Sequence, residues 1–144
     1  MAIARRLIDT ADLIVAVWDG TVTAEMWSSF VDQQVANPDA AQAKKRLTDA
    51  RTATVVGIAE REVDAVSETY DRSEIQVSNT RLAIIATEGW PIAQMVERSM
   101  RAVGVTTVVF ANVHVACTWL GVDAEPVLAT IGELRQELRT RPDA

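Results

Sequence analysis

His114 and Cys117 stand three residues apart and are the only histidine and the only cysteine in the chain. On a helix that spacing makes them neighbours, the minimal arrangement for a thiolate–imidazole nucleophile. A working pair also needs an orienting carboxylate, and a metal site needs further ligands; spacing supplies neither. Cys117 falls on an inward apolar stripe, so core packing with a flanking histidine is the reading adopted. Carboxylates offer a second chemistry. Glu60 and Asp64, like Glu133 and Glu137, lie one helical turn apart, which would suit a divalent cation or a basic partner. A solvated acidic surface accounts for them without either. The third candidate is a rim. "DARTATVVG" and "EGWP" read as connections leaving the carboxyl ends of parallel strands, where open α/β sheets bind their ligands. They bring forward Asp49, Arg51, Thr52, Thr54 and Trp90 as candidate ligand or partner contacts. Asp49 and Arg51 have a plainer role as well, because a strand-end carboxylate can accept backbone and arginine hydrogen bonds and pin the chain. No catalytic residue, metal or cofactor is assigned.

The elements that must position these residues follow from pattern. "IARRLI" and "LIVAVW" flank the polar break Asp9–Asp12, which predicts an antiparallel hairpin. Gly20 is read as the end of the second strand and Thr23 as the N-cap of a helix carrying Trp27, Phe30, Val31 and Val35. Asn37-Pro38-Asp39 is expected to close it. "KRLTDA" predicts a third strand, with Lys44, Lys45 and Arg46 as its solvated entrance. A helix with Ala59, Val63, Val66 and Tyr70 on one stripe follows, then the buried strand "RLAIIAT". Pro91 suits the first turn of a helix bearing Ile92, Met95, Val96 and Val103, and Gly104 stops it. After the strand "TTVVFA", Asn112 caps a short helix ended by Gly121. Asp123 opens a last helix with Val127, Ile131, Leu134 and Leu138 inward and Arg135, Arg139 and Arg141 toward its C-terminal end. Trp18, Trp27 and Trp119 sit on stretches with core periodicity. Trp90 does not.

A hairpin followed by helix–strand units gives one α/β domain over residues 1–144, with a mixed, mostly parallel sheet of about five strands and helices packed on it. The 144 residues suffice for a core, and 49% apolar with 24% charged residues is globular composition. Fourteen basic against twenty acidic residues leave a net charge of −6. That field disfavours nucleic acid and anionic membrane surfaces as partners. No apolar run approaches a membrane span, a lone cysteine forms no internal disulfide, and the cytoplasm is the expected location.

Element order, "LTDAR" after the third strand, and "VVFANVHVACTWLG" with Phe110, Ala116, Trp119 and Leu120 together resemble STAS domains, the anti-sigma-factor-antagonist fold, in a bacterial non-signalling branch. The resemblance implies a non-enzymatic domain that works by protein–protein contact or by binding a small ligand. In signalling members a serine at the start of the helix after the third strand is phosphorylated. The nearest phrase here is Thr54–Gly57, where Val55 and Val56 occupy the serine region, so the usual phosphoacceptor is missing; Thr52 and Thr54 remain able to carry phosphate. A regulatory or binding domain acting through an unidentified protein partner is therefore the first functional expectation. A carrier of a small apolar, lipid-like ligand is the second, and a small enzyme the third. Apolar hairpin edges make a homodimer a further expectation.

Overall fold

A computed structural model describes residues 2–37, 43–73, 79–87 and 92–140. Its order is β1 (Ile3–Ile8), a 3-10 turn (Asp9–Ala11), β2 (Leu13–Thr23), α1 (Ala24–Val35), β3 (Lys45–Val56), α2 (Glu60–Arg72), β4 (Thr80–Ile85), α3 (Ala93–Arg101), β5 (Val105–Phe110), α4 (Val113–Leu120) and α5 (Ala124–Thr140). The strands form one sheet in the order β1-β2-β3-β4-β5. β1 runs antiparallel to β2, and every other pair is parallel. The expected α/β architecture with its leading hairpin is therefore present.

The hairpin turns because Asp12 takes a left-handed conformation (φ 50°) and returns its N–H to the Asp9 carbonyl. Its carboxylate accepts the Lys44 N–H at 3.2 Å, which ties the turn to the start of β3. With strands laid down in sequence and crossovers right-handed, α1, α2 and α3 all land on one face. After β5 the chain crosses over, and α4 and α5 cover the opposite face. β2 feeds both layers. Leu13, Val15 and Val17 point to the α4–α5 side, and Trp18 and Val22 to the α1–α3 side, all of them buried. That two-sided burial is why β2 reads as an unbroken apolar run rather than an alternation.

Local chemistry sets the helix ends. The Thr23 hydroxyl accepts the Met26 N–H at the start of α1, and Asn112 accepts the N–H groups of His114 and Val115 at the start of α4. Gly121 (φ 73°) ends α4 in the left-handed region that a side chain resists. α1 stops at Val35, two residues short of Asn37. Pro38, Asp39, Pro91 and Arg141 lie outside the described residues.

Two strands run further than their sequence predicts. Gly20 does not end β2; the strand passes through it at φ 78° and continues to Thr23. β3 continues past Ala50 to Val56 and stops at Gly57 (φ 72°). The two pair in register from Asp19↔Thr52 to Thr23↔Val56, after a bulge in which Ala50 and Arg51 oppose Trp18. β1 reaches only to Trp18 and β4 only to Asp49. From there the paired segments have no other strand partner among the described residues and extend as a two-stranded arm. Among the described residues, no helix is long and apolar enough to cross a membrane.

Candidate functional site

The anticipated rim resolves into an anchor and part of the arm. Asp49 is wholly buried. It accepts the Arg51 backbone N–H at 3.1 Å, the Arg51 guanidinium at 2.9 and 2.7 Å, and Arg135 of α5 at 2.8 Å. Burial alone would push this carboxyl up; the bonds from Arg51 and Arg135 outweigh it and hold it below the ordinary range. One strand over, Asp19 accepts Arg139 at 3.0 and 3.1 Å and the Thr52 hydroxyl at 2.7 Å. The Arg139 hydrogen bond is the main reason its carboxyl is lowered too.

Asp49 and Asp19 therefore fasten α5 to the sheet, and Arg51 and Thr52 are bonded to these two carboxylates. They do not line a loop, because the segment expected as a loop is the outer half of β3. Thr54 and Val56 are exposed on the arm, and Trp90 lies outside the described residues. The bulge explains the change of face. It inserts one residue in β3, so Asp49 and Thr52 both meet the α5 side although their numbers differ in parity.

The phosphoacceptor position reads differently as well. Val55 and Val56 sit inside β3, and the following helix begins at Glu60, where the Glu62 carboxylate already accepts the Ala59 N–H at 3.0 Å. Thr52 spends its hydroxyl on Asp19, so a phosphate there would face a carboxylate.

The remaining candidates also take structural places. Cys117 is buried in the α4–α5 core, and burial raises its thiol pKa. His114 is exposed on the same helix, and no hydrogen bond joins the two. The acidic pairs are not simply solvated. Glu133 and Glu137 grip Arg6 of β1. Glu60 accepts Arg98 at 3.1 Å, and Asp64 accepts the Ser99 hydroxyl at 3.2 Å, joining α2 to α3. Among the described residues no group of three or more potential metal ligands forms.

A different feature emerges on the α1–α3 face. A cavity of about 70 Å³ lies between the sheet and these helices. That exceeds the ~10–15 Å³ a single water needs. Ile14, Ala16, Trp18, Ile84, Val96 and Met100 form much of its apolar wall, with Trp27 and Phe30 of α1 closing over them. Trp18 and Trp27 meet edge to face, ring centroids 5.9 Å apart.

One end of the cavity is polar. Arg46 is 8% exposed, which overturns its place in a solvated strand entrance; strand alternation turns it inward beside Leu82 while its stem packs in the wall. Its guanidinium lies 5.7 Å from the Tyr70 ring centroid and donates to the Tyr70 hydroxyl at 3.4 Å, which in turn donates to Gln34 Oε1 at 3.3 Å. Burial raises the Tyr70 pKa and keeps the phenol protonated. The sequence signals were a polar residue at an inward strand position and a glutamine on the apolar face of α1. Both were masked, the first by the basic run around it. No protein-family model matches the chain, and no curated protein matches its sequence.

Proposed function

We propose that this chain is a non-enzymatic binding domain that holds a small apolar molecule between its sheet and α1–α3. The observation that carries this is the apolar cavity of about 70 Å³. A well-packed interior leaves few voids larger than a water, and burying ligand surface in this one would be favourable at roughly 25 cal/mol per Å². The sequential sheet with its leading hairpin supports the STAS-like reading, and with it a domain without chemistry of its own.

Toluene is a suitable neutral probe. At saturation it is expected to move the indole resonances of Trp18 and Trp27 in a nitrogen–proton correlation spectrum, leave Trp119 in place, and raise the melting temperature by ligand linkage. Ala16→Phe fills the cavity and should abolish the response while the protein stays folded. Unmoved Trp18 and Trp27 resonances at saturation would overturn the reading.

Protein contact is a second reading, favoured by the arm. Its outer β3 segment is rich in β-branched residues, has no strand partner on the β4 side among the described residues, and leaves Val56 half exposed. Such an edge is a template for another strand, and a second copy supplies one in its own arm. Sedimentation equilibrium should show a dimer that the double variant Thr54→Lys, Val56→Lys dissociates. A wild-type monomer at every concentration would remove this reading.

A further inference from the structure

The polar end of the cavity is a one-way relay of hydrogen bonds. An arginine side chain has donors only, so the Tyr70 hydroxyl accepts from Arg46 at 3.4 Å and sends its single hydrogen to Gln34 Oε1 at 3.3 Å. The phenol keeps that hydrogen because burial raises its pKa. This fixes the orientation of the Gln34 amide. Its oxygen is taken by Tyr70, and its nitrogen, with two hydrogens, becomes the end of the relay.

Gln34 is 3% exposed and lines the cavity. Among the described residues its amide nitrogen donates to no group. A buried donor without an acceptor is costly. Hydrogen bonds in a chain also polarise one another, so this terminal N–H is a stronger donor than an isolated amide. What the relay lacks is an acceptor, and the space open to Gln34 is the cavity.

A second unbonded group lines the same space. Thr48 lies on β3, the middle strand, between Ala16 of β2 and Ile84 of β4, both buried and both cavity wall. Thr48 is itself only half buried, and its hydroxyl makes no hydrogen bond among the described residues. It stands two residues beyond Arg46 on the same strand face, roughly 7 Å along β3. A hydroxyl donates or accepts, whereas the Gln34 nitrogen only donates. An oxygen entering the cavity suits both.

The rest of the wall decides the charge on that oxygen. Trp18, Trp27, Ile84, Val96 and Met100 offer nothing to an ion. Burying a carboxylate among them costs far more than burying a neutral hydroxyl or carbonyl. An ammonium group would meet the Arg46 guanidinium and an amide nitrogen that can only donate. A neutral oxygen is the acceptor that fits.

We propose that the cavity takes a small neutral molecule with an apolar body and one hydroxyl or carbonyl oxygen. The oxygen accepts from Gln34 Nε2 at the Thr48 end, and the body lies against Trp18, Trp27 and Ile84. This rests on the cavity being a ligand site, and it adds the ligand's chemical class.

Phenol and toluene are nearly equal in size, and phenol is neutral at pH 7. Titration calorimetry of both at that pH gives the ratio of their affinities, which is the quantity that tests the assignment. Gln34→Met keeps the length of the side chain and removes the donor. It is expected to shift the ratio about tenfold against phenol, the effect of one lost hydrogen bond, while toluene stays within about twofold. Thr48→Val removes a hydroxyl that bonds to nothing, so folding is untouched, and the ratio should move the same way by about threefold. It decides the matter if Gln34→Met, which also takes the acceptor from Tyr70, does not fold. An unchanged ratio in the deciding variant overturns the oxygen assignment and leaves the apolar cavity standing. Toluene binding without any phenol binding does the same. Binding of neither compound removes both readings.

Discussion

Asp49→Ala is expected to lower the melting temperature by about 10–15 °C, corresponding to roughly 3–5 kcal/mol. Asp49 has no exposed surface and is the shared acceptor for Arg51 and Arg135, whose side chains are 36% and 19% exposed. Truncating it strands the better-buried guanidinium of Arg135 without its anion. Breaking a buried pair costs more than the pair is worth, because the remaining charge stays desolvated. Arg51 is nearer to water and contributes less. Asp49→Asn tests the charge separately from the shape. It keeps an acceptor oxygen for the backbone N–H of Arg51 and should recover part of the loss. A melting temperature within about 2 °C of wild type for Asp49→Ala would show that α5 does not depend on this anchor.

The same pair of variants carries a pH signature. The folded Asp49 carboxyl sits below its ordinary value, so the unfolded chain takes up a proton first as the solution is acidified. Its contribution to stability is therefore complete above the unfolded value of about 4 and is lost as pH falls through the lowered folded value. Asp19, held down chiefly by its hydrogen bond from Arg139, adds a term of the same sign. The stability difference between wild type and Asp49→Asn should accordingly be largest near pH 6 and shrink toward pH 2–3. Denaturant titrations across that range measure it, and a gap that does not change with pH would refute the assignment.

Asp49 also marks how far the sequence could be read. Its bond to Arg51 was legible because the residues are two apart and the chemistry is local. Arg135 was not, since 86 residues of chain separate it from Asp49 and only the folded path of α5 brings it there. The outer half of β3 was hidden for a related reason. Thr52, Thr54 and the preceding acidic residue look like a hydroxyl-rich loop, and Gly20 looks like a strand terminator. Yet Asp19–Thr23 and Thr52–Val56 complete each other's ladders, a non-local event that neither segment announces alone. "RLAIIAT" was readable because burial on both faces leaves its apolar run unbroken. Arg46 was misread because a basic run usually marks a solvated end, whereas strand alternation sends this one charge inward. A cavity has no signature in a linear pattern, since it is volume left over when three helices settle on a sheet.

A chain ended at Val122, and so lacking α5, is expected not to fold. Val127, Ile131, Leu134 and Leu138 are 1%, 2%, 1% and 4% exposed, and at roughly 1.5–3 kcal/mol for each buried side chain they supply about 6–12 kcal/mol. That range overlaps the whole stability of an ordinary domain, about 5–15 kcal/mol. Their loss would also bare Leu13, Val15 and Val17, all at 0%. The helix does more than cover. Glu133 and Glu137 hold Arg6 of β1, Arg139 holds Asp19 of β2, and Arg135 holds Asp49 of β3, so one helix fastens three adjacent strands. Circular dichroism of the shortened chain should show no cooperative melting transition. Leu134→Ala in the full chain, expected to cost 2–5 kcal/mol, gives a graded version that still folds. A cooperative transition in the shortened chain would contradict this account. Dependence on α5 divides the molecule physically: the α4–α5 face is packed and pinned by ion pairs, whereas on the α1–α3 face the packing of the described residues leaves a cavity.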